Sequence, residues 1–111
     1  MSEALLAWHT ALDEGFDEKA YQQELRDFIA KERDTAALVS SDLRVGNNTE
    51  AQKKVHAVKQ KANRLYAKAL SQAAFALEMA LKVGADRTAS FKAFDSVLMD
   101  TLLEMSAYLN R

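Results

Sequence analysis

The chain has 111 residues, 49% of them hydrophobic and 28% charged, with a formal net charge of −1, which is the balance of one small globular domain spanning residues 1–111. The absence of cysteine excludes disulfides and thiol chemistry, while no proline and only three glycines leave few breakers for a many-stranded sheet, so an all-α fold is expected. Two histidines without a carboxylate-rich helix motif argue against a dedicated metal site in this chain, and no window approaches the run of about 20 apolar residues that a membrane span needs.

The elements follow in chain order. Met1-Ser2-Glu3-Ala4-Leu5-Leu6 has no basic region followed by a long apolar run, so no secretory leader is read there and a cytoplasmic location is expected. The initial Met1 fits a stand-alone protein, with an excised module of a longer chain as the other reading. A short first helix is predicted over residues 2–13. Asp17 can cap a long second helix whose apolar stripe runs Tyr21, Leu25, Phe28, Ile29, Ala36, Val39 and Leu43, interrupted by Glu32. Gly46-Asn47-Asn48 forms a turn, and Thr49 with Gln52 has the spacing of a capping box for a third helix. That helix has its apolar positions at Val55, Val58, Ala62, Leu65 and Ala69, spaced as a buried stripe requires. No clear break follows Leu65. A fourth segment carries Leu70, Ala73, Ala74, Leu77 and Leu81 up to Gly84. The last helix, from about Thr88 to Leu109, presents Phe91, Phe94, Leu98, Leu102, Met105 and Leu109. Four long amphipathic segments joined by short turns predict an antiparallel four-helix bundle with a short additional N-terminal helix, able to bury its stripes as a monomer.

Charge is unevenly spread. Between Glu50 and Lys68 stand Lys53, Lys54, Lys59, Lys61, Arg64 and Lys68 against Glu50 alone, a segment of +5 in a chain of −1, leaving −6 for the rest. Such a helix is either a lysine-rich surface kept for solubility or a field that attracts an anionic partner. No nucleic-acid partner is expected, since the remainder is acidic and no aromatics interleave the lysines. His56 lies about 100° round from Val55, off the buried stripe. Gln52, Lys59, Gln60 and Asn63 are its helical neighbours.

Acyl transfer would require a nucleophile, an orienting carboxylate and an oxyanion hole, and this helix supplies no such set. A neutral imidazole can itself attack phosphorus and hold the phosphoryl group as a phosphoramidate. The neutral ring has a lone pair available for this, and Lys59 is the nearest cation on the same helical face to balance the transferred charge.

The stretch from His56 onward resembles the histidine-containing phosphotransfer (HPt) domains of two-component phosphorelays, whose central pattern runs His-x-Leu-Lys-Gly-x-Ala-x-x-Leu-Gly-Ala. His56, Val58, Lys59, Ala62, Leu65 and Ala67 fall on it without a gap, and Leu70, Ala73-Ala74 and Leu77-Glu78 continue the register. Upstream, Tyr21-Gln22-Gln23-Glu24-Leu25-Arg26-Asp27-Phe28 is similar to the family's second helix, with Gly46-Asn47 at its turn. The resemblance covers about residues 17–109. It implies that His56 is the phosphoacceptor, usually through Nε2, and that Lys59 neutralises the phosphoryl group. It also implies response-regulator receiver domains, and through them a hybrid sensor histidine kinase, as partners. The Mg²⁺ of the reaction would belong to the receiver, so that this chain holds no cofactor and is a phosphocarrier rather than a self-contained enzyme. Gln52, Gln60 and Asn63 would form the polar rim met by the receiver, and Leu38 part of an apolar docking patch or a scattered surface leucine.

Two positions depart from the family pattern. Gln60 stands where a glycine or small residue lets the receiver approach, and Tyr66 stands where glycine ends the helix, which would lengthen the third helix or shift the bend. A receiver-binding adaptor that accepts no phosphate is therefore the alternative reading. Elsewhere His9 is read as a surface or rim residue with Trp8 packing over the bundle, Tyr66 and Tyr108 as packing residues, and Met79, Met99 and Met105 as core fillers.

Overall fold

The computed structural model describes residues 5–111. Among them the secondary structure is entirely helical: α1 (Trp8–Asp13), α2 (Glu18–Glu32), α3 (Thr35–Arg44), α4 (Asn48–Arg64), α5 (Lys68–Val83) and α6 (Thr88–Leu109). None of these helices is long and apolar enough to cross a membrane.

The first helix is shorter than the 2–13 expected from sequence. Residues 2–4 lie outside the described residues, and α1 begins only at Trp8 because the chain before it is held elsewhere: the Ala7 N–H donates to the Tyr66 carbonyl at 2.9 Å. Trp8 stacks on the exposed His9 and packs against Tyr108, covering one end of the molecule.

Asp17 caps α2 through the Ala20 N–H at 3.0 Å. The long second helix expected from sequence is divided: Arg33 and Asp34 separate α2 from α3, although the Leu38 N–H bonds to the Asp34 carbonyl and helix resumes at once. The buried positions Tyr21, Leu25, Phe28, Glu32, Thr35 and Val39 alternate steps of four and three through the break, so the seam is continuous but polar in its middle. There the Thr35 hydroxyl donates to the Glu32 carboxylate, a local side-chain bond of the kind that competes with uninterrupted helix.

The Thr49–Gln52 capping box does not form. Asn47 is the residue at the start of α4 and caps it with no side-chain bond, so Thr49 falls inside the first turn. Asn48 is used instead to tie the start of α4 to the end of α5, its Nδ2 donating to the Leu81 carbonyl at 3.2 Å. At the opposite end the Ser71 hydroxyl donates to the Lys59 carbonyl, so α4 and α5 run antiparallel. Val55, Val58 and Ala62 meet a core that includes Leu70, Ala74 and Leu77, all fully buried. Met105 is buried as expected of a core filler, whereas Met79 and Met99 are 41% and 49% exposed, because each sits one residue beyond a buried position, Glu78 or Leu98, on the outer side of its helix.

Tyr66 does not lengthen α4; the helix ends at Arg64. The Tyr66 N–H bonds to the Asn63 carbonyl and the Ala67 N–H to the Ala62 carbonyl, the pair of bonds of a Schellman motif. Tyr66 occupies its left-handed position at φ 65°, the only non-glycine residue with positive φ among those described. Gly46 takes the same place after α3 at φ 79°. The Tyr66 hydroxyl donates to Glu14 at 2.7 Å, and the buried Tyr21 hydroxyl donates to the Leu65 carbonyl at 2.7 Å. The turn after α4 thus fastens both the N-terminal segment and α2. The molecule measures 41 × 21 × 21 Å.

Candidate functional site

His56 lies about two turns inside α4, on rigid helix, with its side chain 45% exposed. Across the antiparallel pair, α5 delivers Glu78, whose Oε2 is 2.8 Å from His56 Nδ1. A carboxylate only accepts. Nδ1 therefore carries a proton, so that in the neutral ring the lone pair is on Nε2.

Glu78 is almost fully buried, yet three cationic or protonatable groups surround it. Lys59 Nζ is 2.9 Å from Oε1, an ion pair that lies off the hydrogen-bonding direction and leaves that oxygen without an aligned donor. Lys82 Nζ, one turn along α5, is 3.4 Å from Oε2. Burial by itself pushes the Glu78 carboxyl up, but the contacts with Lys59 and His56 outweigh burial and hold it below the ordinary glutamate value. Lys59 also stands 5.3 Å from the centre of the exposed Phe75 ring of α5, a cation–π distance.

Of the residues that sequence placed round His56, Lys59 is joined to it through Glu78. Gln52 is half-buried and Gln60 exposed, one turn before and one turn after His56 on α4. Asn63 is exposed but lines a separate cleft of about 470 Å³ with Ala7, Thr10, Tyr66 and Lys68. Leu38 is 51% exposed and borders a groove on the α3 side of α4 with Ala57, not with His56. The apolar flank next to the Lys59 side of the site is Phe75, followed one turn on by Met79.

Sequence reasoning gave no role to Glu78 or Phe75. The signal for Glu78 was present: it is an acid at the edge of the buried stripe of α5, next to Leu77, and an antiparallel hairpin brings that edge to the level of His56. Phase along α5 likewise puts Phe75 outside the stripe formed by Leu70, Ala74, Leu77 and Leu81.

No protein-family model, curated protein or solved structure matches this chain. The chemistry of the site follows from its residues. They supply one nucleophilic nitrogen of fixed tautomer, one buried carboxylate behind it and two lysines beside it. Among the described residues no group of three or more histidine or acidic side chains is placed to hold a metal ion. Glu78 is already engaged by His56, Lys59 and Lys82.

Proposed function

We propose that the chain is an HPt-like phosphorelay intermediate that accepts a phosphoryl group on Nε2 of His56 from a receiver aspartate and passes it to another receiver. In this reading α2 with α3, α4, α5 and α6 are the four members of an antiparallel bundle, α1 is the short addition at one end, and the protein acts as a cytoplasmic monomer. The observation that carries it is the His56–Glu78 pair with Lys59 and Lys82 alongside.

The Nε2 lone pair attacks phosphorus of the aspartyl acyl phosphate in line. The N–P bond forms as the P–O bond breaks, and its electron pair leaves on the aspartate carboxylate. The ring keeps its Nδ1 proton and becomes cationic, and the buried Glu78 carboxylate stabilises that charge. Lys59 and Lys82 offset the negative charge of Glu78 and meet the phosphoryl oxygens. The receiver's Mg²⁺ supplies charge neutralisation on the donor side. Reversal needs no further group of this chain.

Phosphorylated receivers mixed with wild type and with His56→Gln test the proposal. Label on wild type alone, stable in base and lost in acid, is the expected result; absence of label from every receiver overturns it. The exposed Gln60 favours a second reading, an adaptor that docks a receiver without accepting phosphate. In that case binding persists without label, and Gln60→Gly restores label only if bulk at that position is the obstacle.

A further inference from the structure

Among the described residues two acidic side chains are buried, and their surroundings are opposite. Glu78, 3% exposed, is ringed by His56, Lys59 and Lys82. Glu32, 4% exposed, has the Thr35 hydroxyl as its polar partner, and no cation of the described residues forms an ion pair with it. A buried carboxylate without a cation is costly to keep. Glu32 lines a groove of about 280 Å³ between the α2–α3 break and α4, with Lys31, Thr35, Leu38, Lys54 and Ala57 as the other lining residues. That is smaller than the roughly 300–1,000 Å³ of small-molecule sites and suits a single long side chain.

We propose that this groove receives an arginine side chain of a partner protein, its guanidinium paired with the Glu32 carboxylate and its aliphatic stem lying against Leu38 and Ala57. Guanidinium is weakly hydrated and matches a carboxylate with two parallel donors, which suits a buried acid better than an ammonium does. The lysines at the rim do not fill the role. Lys54 is held by Asp42 at 2.6 Å, and Lys31 is exposed at the mouth, where it weakens the incoming cation's attraction without pairing with Glu32. Ala57 follows His56 directly on α4, so the groove and His56 lie on neighbouring faces of one helix. The site itself does not depend on His56 accepting phosphate.

The test is titration of the full chain with N-acetyl-arginine methylamide, followed by amide NMR shifts, with the citrulline analogue as the neutral isostere. Expected are saturable shifts confined to residues 31–38 and 54–57, none from citrulline, at least tenfold weaker binding in Glu32→Gln, and tighter binding in Lys31→Gln. Ala57→Leu, which fills the groove and leaves Glu32 in place, should abolish the shifts if Glu32→Gln proves unfolded. Equal shifts in wild type and Glu32→Gln, shifts spread over exposed acids such as Glu50, or an equal response to citrulline would overturn the proposal. Loss of phosphoryl transfer in His56→Gln with arginine binding unchanged would separate this site from the phosphorelay reading.

Discussion

Glu78 acts on the imidazole in two ways, as an orienting acceptor for Nδ1–H and as a buried negative charge behind the ring, and replacing it separates the two. Glu78→Gln keeps the shape and removes the charge. On the proposed phosphorelay reading, transfer from a matched receiver is expected to fall about 10- to 100-fold, by analogy with the loss when the carboxylate partner of a metal-ligating histidine is removed. Lys59→Ala should cost about tenfold or more through the phosphoryl charge. The same carboxylate carries a pH signature. Its value is lowered in the folded state, so its contribution to stability is complete above the unfolded value of about 4.3 and is lost as pH falls through the folded value. Thermal melts from pH 6 to 3 should therefore decline less steeply for Glu78→Gln than for wild type; equal slopes would show that Glu78 is not the group responsible. His56 and Lys59 were legible in sequence because both lie on one helix, where spacing alone relates them. Glu78 showed in sequence only as an acid at the edge of a buried stripe, because its role depends on a second helix and on the vertical register between the two. Tyr66 was visible as a departure, but only the backbone angle shows that it occupies the left-handed position itself. Such a backbone disfavours residues with a Cβ and β-branched ones most. Tyr66→Val should thus melt lower than Tyr66→Asn, since both lack the hydroxyl bond to Glu14 and differ in their tolerance of the left-handed backbone; a reversed order would mean that backbone strain at this position does not decide between them.

At the scale of elements, the break between α2 and α3 follows from two polar residues placed in an otherwise apolar seam. Thr35→Val leaves Glu32 buried without its donor and should destabilise by about 1–3 kcal/mol. Pairing it with Glu32→Leu removes the polar pair altogether and should recover that loss or exceed it, since apolar replacement of buried polar partners is often neutral or stabilising. A double-mutant cycle by denaturant unfolding reads the difference directly. Strict additivity would mean that Glu32 and Thr35 do not act as a unit. Sequence periodicity gave the extent of α6 and the end of α5 at Gly84, where the apolar repeat and the stop residue agree. It joined α2 to α3 because the repeat runs through the break, and it carried α4 past Leu65 because tyrosine is not a stop signal.

Across the whole molecule, the basic stretch from Lys53 to Lys68 runs along α4 and through the turn after it to the first residue of α5, against an acidic remainder. Part of that charge is already spent within the chain: Lys54 on Asp42, Lys59 on Glu78 and Arg64 on Glu24, the last with two contacts of 2.8 and 2.7 Å. Lys53, 70% exposed, is paired only loosely with Glu50 at 3.4 Å. If the chain docks a receiver as proposed, association should slow as salt rises, but modestly, because few of these cations remain uncommitted; stopped-flow rates at two ionic strengths measure this, and a steep dependence would require a wider basic surface. The turn at Leu65 and Tyr66 has a kinetic consequence as well. The α4–α5 hairpin closes over a short loop, while the bonds from Ala7, Glu14 and Tyr21 to this turn span 44 residues or more of chain. Local closure costs less chain entropy than distant closure. Folding should accordingly nucleate in the α4–α5 hairpin and finish with the N-terminal segment locking on, so that Glu14→Ala speeds unfolding while leaving the folding rate almost unchanged.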